Sequence, residues 1–178
     1  EQNSGRILLS FQDFGSILSF GIDGSPYYEL DVNIVPEDYE NQWVFISAIV
    51  EGNMLRLFRN GDQIGEVQIN ESPIFSNQHP ISIGATINTN GVIDEYFNGL
   101  IDEVSIWPAA MDENELKNVM YEDTFFNDAL AHFKFNAGDG NILFDHSGNQ
   151  NHGQINGATW NDGLVTPPTS VTFKVNMR

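Results

Sequence analysis

Short apolar segments separated by turn residues fill most of the chain, and this pattern limits the possible folds more than any other feature. The clearest pair, residues 54–59 and 63–69, is joined across Asn60-Gly61. Asn-Gly favours a two-residue hairpin because both residues tolerate the positive φ angles of such a turn. Further segments of this kind lie at residues 7–11, 17–22, 27–34, 43–50, 81–85, 97–107, 130–135 and 171–177. Strands at this spacing, without intervening helices, predict an all-β antiparallel sandwich or jelly roll.

One short helix is predicted after residue 112. Asp112 and Glu115 have the spacing of a capping box, in which each side chain accepts a bond from the other's backbone N–H. Leu116, Val119 and Met120 then recur at helical spacing. We expect this apolar face to pack against the sandwich.

The composition excludes several classes of partner. The 178 residues include 25 Asp and Glu against 7 Lys and Arg, so the formal net charge is −18. Such a surface repels phosphate backbones and anionic lipids, which argues against nucleic-acid binding and membrane-surface binding. No apolar run approaches the ~20 residues needed to cross a bilayer, which argues against membrane insertion. The chain has no cysteine, so it has neither disulfides nor thiolate metal sites. The acidic charge suits either a divalent cation or simple solvation.

An acidic residue falls in phase with apolar residues in the segment FNGLIDEVSIW, residues 97–107. If this segment is one continuous strand, Leu100, Asp102, Val104 and Ile106 share a face. A carboxylate on a core-facing stripe is costly unless another group pairs with it. The partner of Asp102 is therefore a central question for function.

Three segments together resemble one family. NQWVFISAIVEGNMLRLFRNGDQIGEV (41–67) resembles the Trp strand and hairpin of laminin-G-like, concanavalin A-type jelly rolls. The segment 97–122 resembles the closing motif of that family, and residues 130–160, with D-x-S-G-N-x-N-H-G, resemble its opening motif. The resemblance implies a concanavalin A-like jelly roll. It also implies a module of a larger bacterial protein, secreted or on the cell surface, with neighbouring domains as partners.

The two motifs occur in the reverse of the family order. One explanation is a circularly permuted sandwich over residues 1–162, in which residues 130–135 pair with residues 97–107. Residues 163–170 would then form a linker, and residues 171–178 would complete the sandwich or begin a following module. The other explanation is a fragment that spans the end of one unit and the start of the next. Permutation is favoured, because two half-domains would expose core and unpaired edges.

The segment 145–153 is the best candidate for a metal site. It places Asp145, Asn149 and Asn151 among glycines, and calcium binds carboxylate, carboxamide and backbone oxygens. In the family resemblance this loop lies beside the strand that carries Asp102, which predicts a structural calcium ion held by all four residues. The alternative is hydrogen bonding of Asp102 within the same loop. Zinc at His146 and His152 is disfavoured because a third nitrogen or sulfur ligand is missing. Alternation along its strand predicts that His132 faces solvent.

Catalysis is disfavoured. Glu29, Asp31 and Asn33 alternate along one strand and resemble the E-x-D-x-E strand of glucanases built on this fold. The third acid is replaced by Asn33, which cannot donate a proton to a leaving group. Glu29 and Asp31 are therefore expected to form the polar face of the strand, opposite Tyr28, Leu30 and Val32.

The predicted function is a non-catalytic extracellular module that binds a carbohydrate or another surface ligand. The polar loop at residues 84–97 contributes candidate ligand contacts, since rim loops of jelly rolls often bind ligands. The candidates are Asn88, Asn90, Asp94 and Tyr96. Two alternatives stay open at this point, namely a spacer domain without a ligand and a degenerate glycoside hydrolase.

Overall fold

The fold consists of short β-strands and one α-helix. The structure, a computed structural model, describes residues 6–23, 26–73, 80–87, 92–121, 128–161 and 173–177. The elements are β1 (Arg6–Gln12), β2 (Ile17–Asp23), β3 (Tyr28–Asn33), β4 (Ile46–Glu51), β5 (Met54–Arg59), β6 (Asp62–Gln68), β7 (Thr86–Ile87), β8 (Ile93–Asp94), β9 (Val104–Trp107), α1 (Glu113–Tyr121), β10 (Ala131–Phe133), β11 (Ile142–Leu143), β12 (Gly153–Gln154) and β13 (Phe173–Met177).

Two main sheets form the sandwich, as the strand pattern predicts. One sheet has the order β1-β2-β3, and the other has the order β10-β9-β13-β4-β5-β6. Neighbouring strands are antiparallel except around β13, which runs parallel to both β4 and β9. The predicted hairpin turn is confirmed, because Asn60 and Gly61 have φ angles of 52° and 82°. The all-β class is therefore confirmed, with β13 as the exception to antiparallel pairing.

The main core lies between the two sheets. Leu18, Phe20 and Ile22 of β2 face Ile46, Ala48 and Val50 of β4 within one buried cluster. Gly65 of β6 lies close to β3, since an added Cβ at Gly65 would lie 2.5 Å from the Cγ2 of Val32. Only glycine fits there without displacing β3. This close contact holds β3 against the larger sheet and directs its polar residues outward.

The helix covers the other face of the larger sheet. Leu116 and Met120 pack with Phe45, Ile49 and Phe58 in a second buried cluster. The capping box is confirmed, since the N–H of Asp112 donates to Glu115 Oε2 at 2.8 Å and the N–H of Glu115 donates to Asp112 Oδ1 at 2.9 Å. β4 is consequently buried on both faces from Ile46 to Val50. Within the described ranges, no helix combines the length and hydropathy needed to cross a bilayer.

The predicted strand 97–107 is wrong over its first half. β9 begins at Val104, because Glu103 adopts a φ of 50° and interrupts the extended backbone. Leu100 is 43% exposed, so Leu100, Asp102, Val104 and Ile106 do not share a core face. The strand predicted at 81–85 is also absent, and pairing begins instead at Thr86. The remaining predicted strands differ by a few residues at their ends.

The segments that resemble the closing and opening motifs meet in the sheet. Ala131 pairs with Ile106, and Phe133 pairs with Val104, so β10 lies antiparallel beside β9. β13 lies between β9 and β4. The predicted linker, residues 163–170, lies outside the described residues, and the division into domains stays a prediction.

Candidate functional site

The carboxylate of Asp145 organises the loop that follows β11. Oδ1 accepts hydrogen bonds from the N–H of His132 and the N–H of Ser147, each at 2.9 Å. Oδ2 accepts bonds from the Ser147 hydroxyl and the N–H of Asn151, also at 2.9 Å. A carboxylate has about four lone-pair positions, so these four donors use its full accepting capacity. Asp145 therefore ties its own loop to β10.

These bonds also keep Asp145 ionised. Burial opposes ionisation, since Asp145 is only 7% exposed. The backbone bonds from His132, Ser147 and Asn151, with the Ser147 hydroxyl, more than offset burial, so the pKa of Asp145 lies below its usual value. The loop thus depends on a charged carboxylate at neutral pH.

The two predicted asparagine ligands belong to the same loop and contact the residues just before β10. Asn149 Nδ2 donates to the carbonyl oxygens of Ala129 and Leu130 at 3.0 and 3.2 Å. Asn151 Nδ2 donates to the same Leu130 oxygen at 2.8 Å. His152 Nδ1 accepts the N–H of Asp145 at 3.0 Å. Asp145, Asn149 and Asn151 are thus brought together, as the sequence predicts.

The expectation for His132 is wrong. Its side chain is 1% exposed, and its Nε2 lies 2.8 Å from Glu103 Oε2. The loop of Asp145 covers the face of β10 that alternation assigns to solvent, and the His146 ring packs 6.4 Å from the His132 ring. Glu103 is therefore the acidic side chain that links the closing segment to the opening segment.

Asp102 does not join this group. Its Oδ1 accepts the N–H of Glu103 at 2.9 Å, and no described Lys, Arg or His forms an ion pair with it. Asp145 bridges to Phe133, which pairs on its other side with Val104, so β10 separates Asp145 from β9. Two strand spacings place the backbones of Asp145 and Val104 roughly 10 Å apart.

Of the four residues predicted to bind calcium, the structure brings Asp145, Asn149 and Asn151 together and leaves Asp102 apart. An ion at Asp145 would have to replace protein donors, and Asp102 lies on the far side of β10. Among the described residues, no group of three or more His, Asp or Glu side chains is placed to bind a metal. The loop is held by hydrogen bonds, and calcium at these four residues stays a prediction.

A second polar cluster lies on the outer face of β1–β3. Glu29 Oε1 accepts bonds from the Tyr27 hydroxyl at 2.7 Å, the Ser19 hydroxyl at 2.8 Å and Gln12 Nε2 at 3.3 Å. The Tyr27 hydroxyl can lie over β2 because residue 21 is glycine, whose added Cβ would be 3.0 Å from it. Within the described residues, Glu29 Oε2 accepts no hydrogen bond. One oxygen is thus held by the protein and the other is available to a ligand.

The prediction for β3 is confirmed by its exposure. Asp31 and Asn33 are exposed, whereas Leu30 is buried and Tyr28 and Val32 pack against the main core. The Tyr27 hydrogen bond, with those from Ser19 and Gln12, lowers the pKa of Glu29 despite the opposing effect of burial. An ionised Glu29 cannot donate a proton to a glycosidic oxygen at neutral pH.

The comparison with known families agrees with this sandwich. The Laminin_G_3 family model, described as the concanavalin A-like lectin/glucanases superfamily, matches residues 1–117. This chain belongs to that superfamily. The match spans about two thirds of the chain, so the predicted laminin-G-like family is confirmed. No curated protein and no solved structure gives a significant match.

Membership in the concanavalin A-like superfamily supports a carbohydrate-binding or adhesion-type module. Of the predicted ligand residues, Tyr96 is 72% exposed and Asp94 belongs to β8. Asn88 and Asn90 lie outside the described residues. The predicted ligand set omits Tyr27, Ser19 and Gln12, because their convergence on Glu29 depends on the pairing of β1, β2 and β3.

Replacing Asp102 with asparagine should stabilise the protein at pH 7. Burial raises the pKa of Asp102, and so does the nearby charge of Glu103, although the Glu103 N–H bond partly opposes this shift. A raised folded-state pKa means that ionised Asp102 disfavours folding above that pKa. We expect Asp102→Asn to raise the free energy of unfolding, because it keeps the acceptor oxygen without the charge.

Urea denaturation at pH 7 and pH 3 checks this expectation, with Asp102→Ala as the control that loses the acceptor. The gain should disappear at pH 3, where the wild-type carboxyl is protonated in both states. A stable charged partner of Asp102 would instead make Asp102→Asn destabilising at pH 7.

Proposed function

We propose that this chain is a non-catalytic, extracellular carbohydrate-binding module of a larger protein. Its binding surface is the outer face of β1–β3. The observation that carries this proposal is the Glu29 carboxylate, held through Oε1 by three donors while Oε2 stays available. Sugar hydroxyl groups donate well to such a preorganised carboxylate.

The neighbouring side chains complement Glu29. Tyr27 is half exposed beside it, and its ring supplies an aromatic surface for the apolar face of a sugar. Asp31 and Asn33 continue along β3 with exposed oxygen and nitrogen atoms. This face combines an aromatic ring with hydrogen-bonding groups, which is the combination that orients a small polar ligand.

Asn33 in place of a second acid on β3 favours binding over hydrolysis. Both standard glycosidase mechanisms need, beside one ionised carboxylate, a protonated carboxylic acid that donates its proton to the leaving-group oxygen. Glu29 is ionised, and the third alternating position of β3 is Asn33 rather than an acid. The three hydrogen-bond donors that position Glu29 therefore suit the binding of an intact glycan.

A glycan array, followed by titration calorimetry on the best ligand, tests the proposal. We expect Tyr27→Ala and Glu29→Gln each to weaken binding by about tenfold or more. Tyr27→Ala removes the ring that stacks on the sugar, and Glu29→Gln removes the charge that strengthens the hydrogen bond to a sugar hydroxyl. Tyr121→Ala is the matched control, because this tyrosine is exposed on α1, on the opposite side of the larger sheet. Binding should be equal in calcium and in EDTA.

Two results would contradict the proposal. Failure of the wild type to bind any glycan would favour a spacer domain. Release of reducing sugar that disappears in Glu29→Gln would favour a hydrolase.

A further inference from the structure

The tip of the β1–β2 hairpin exposes a phenylalanine on a strained backbone. Asp13, Phe14 and Gly15 have φ angles of 47°, 55° and 86°, all in the left-handed region. The Phe14 side chain has a relative exposure of 106%, so it packs against nothing in the described structure. A bulky residue at positive φ is a genuine outlier, and such strain tends to occur at binding sites.

The tip is held in this strained conformation by Ser16. The Ser16 hydroxyl donates to the Asp13 carbonyl oxygen at 2.9 Å and lies 3.1 Å from Asp13 Oδ2. The N–H of Ser16 also donates to the Asp13 carbonyl oxygen, at 3.2 Å. These bonds hold the backbone that carries Phe14, so less backbone entropy is lost when a ligand binds there.

The tip is continuous with the proposed binding face. Gln12, which donates to Glu29, is two residues before Phe14. Ile17 of β2 pairs with Asn33, so the tip lies beyond the end of β3 that carries Asn33. Asn33 lies four residue steps along β3 from Glu29, about 13 Å away. One extended ligand can thus contact Glu29 and reach Phe14.

The charges around the tip select among possible ligands. Asp13 belongs to the tip, and the turn that carries Glu37 and Glu40 lies beside it. The N–H of Ile34 donates to the Ser16 carbonyl oxygen at 2.9 Å, and the Tyr39 ring packs 5.6 Å from the Phe11 ring. Carboxylates accept bonds from sugar hydroxyl groups but repel sulfate, uronate and anionic lipid.

We propose that Phe14 is a second sugar-stacking platform and that the ligand is an extended, neutral polysaccharide. This inference rests on the proposed carbohydrate-binding function and adds the class of glycan and a second contact point. A chain of several sugar units spans Tyr27, Glu29 and Phe14, whereas a single sugar occupies only one platform. Neutral polysaccharides should therefore bind well and their monosaccharides poorly.

Affinity electrophoresis in gels containing β-glucan, xyloglucan or galactomannan tests this proposal, with dextran sulfate as the anionic comparison. Phe14→Ala should weaken binding of the retained neutral polysaccharide about tenfold or more. Phe14→Trp should keep binding, and its added tryptophan fluorescence should shift to shorter wavelength when that polysaccharide is added. Phe14→Gly should lose binding while its melting temperature stays equal or rises, because glycine relieves the strain at positive φ.

The outcomes separate this inference from the proposed function. If Phe14→Ala binds as wild type while Tyr27→Ala does not, the Phe14 platform is refuted and the proposed function stands. If the wild type binds none of the neutral polysaccharides and no glycan on the array, both the Phe14 platform and the proposed function are refuted. Preference for dextran sulfate, or Phe14-dependent binding to phosphatidylcholine vesicles, would also overturn the inference.

Discussion

Replacing Asp145 with alanine should lower the free energy of unfolding by about 3–5 kcal/mol, since a buried donor left without its acceptor costs about 1–3 kcal/mol. The substitution removes the acceptor of three backbone N–H groups, from His132, Ser147 and Asn151. The N–H of His132 is buried, so water cannot readily replace the lost carboxylate. Urea denaturation at pH 7 measures the loss.

The contribution of Asp145 should depend on pH in a defined direction. Its pKa is lowered in the folded state, so the ionised carboxylate stabilises folding above the unfolded-state pKa of about 3.9. The stability is lost as pH falls through the folded-state pKa, below about 3.9. The difference between wild type and Asp145→Ala should therefore be full at pH 7 and shrink in stronger acid.

Two controls identify the origin of this effect. Asp145→Asn keeps the shape and one acceptor oxygen, so its loss should be smaller than that of Asp145→Ala. Adding EDTA to protein purified in calcium should leave the melting temperature unchanged, because hydrogen bonds organise the loop. A lower melting temperature in EDTA, abolished in Asp145→Ala, would instead support calcium at this loop.

Truncating Phe45 to alanine should also cost about 3–5 kcal/mol, the usual loss for a fully buried phenylalanine. Phe45 has no exposed surface and packs with Ile49, Phe58, Leu116 and Met120, between the larger sheet and α1. The cavity left by the ring would weaken the attachment of the helix. Thermal unfolding followed by circular dichroism measures the loss, with Phe45→Leu as a milder variant that keeps the protein folded.

Phe14→Ala is a matched control for Phe45→Ala, because the chemical change is the same and only the burial differs. Phe14 contributes no buried surface, so its truncation should change the free energy of unfolding by less than about 0.5 kcal/mol. Equal losses from the two variants would contradict the assignment of Phe45 to the core and of Phe14 to the surface.

Local sequence patterns were sufficient for the hairpins and the helix. Asn60-Gly61 and the Asp112–Glu115 capping box involve residues close together in the chain, and their geometry depends on backbone preferences that neighbours determine. The alternation in β3 was also sufficient to assign Glu29 and Asp31 to the outer face. Alternation did not predict the break at residues 97–103, because the positive φ of Glu103 leaves no signal in the pattern of apolar residues.

The sites depended on contacts between distant segments. Alternation places His132 on a polar face, but the loop of Asp145 covers that face and Glu103 pairs with the ring. The cluster at Glu29 likewise combines side chains from three paired strands, because Gln12 of β1 and Ser19 of β2 both donate to Glu29 of β3. The residue pattern of one strand contains no information about the distant segments that pack over that strand.

By itself, the sequence determined the class of fold, the family, the helix with its cap and the acidic surface, because these depend on composition and on preferences within a few residues. Only the tertiary structure decided that Asp145 is satisfied by backbone donors and that Glu103 rather than Asp102 contacts the opening segment. It also decided that Phe14 is exposed beside the Glu29 face. Hydrogen-bond satisfaction and burial are properties of packed segments, so they are defined only once the strands are paired.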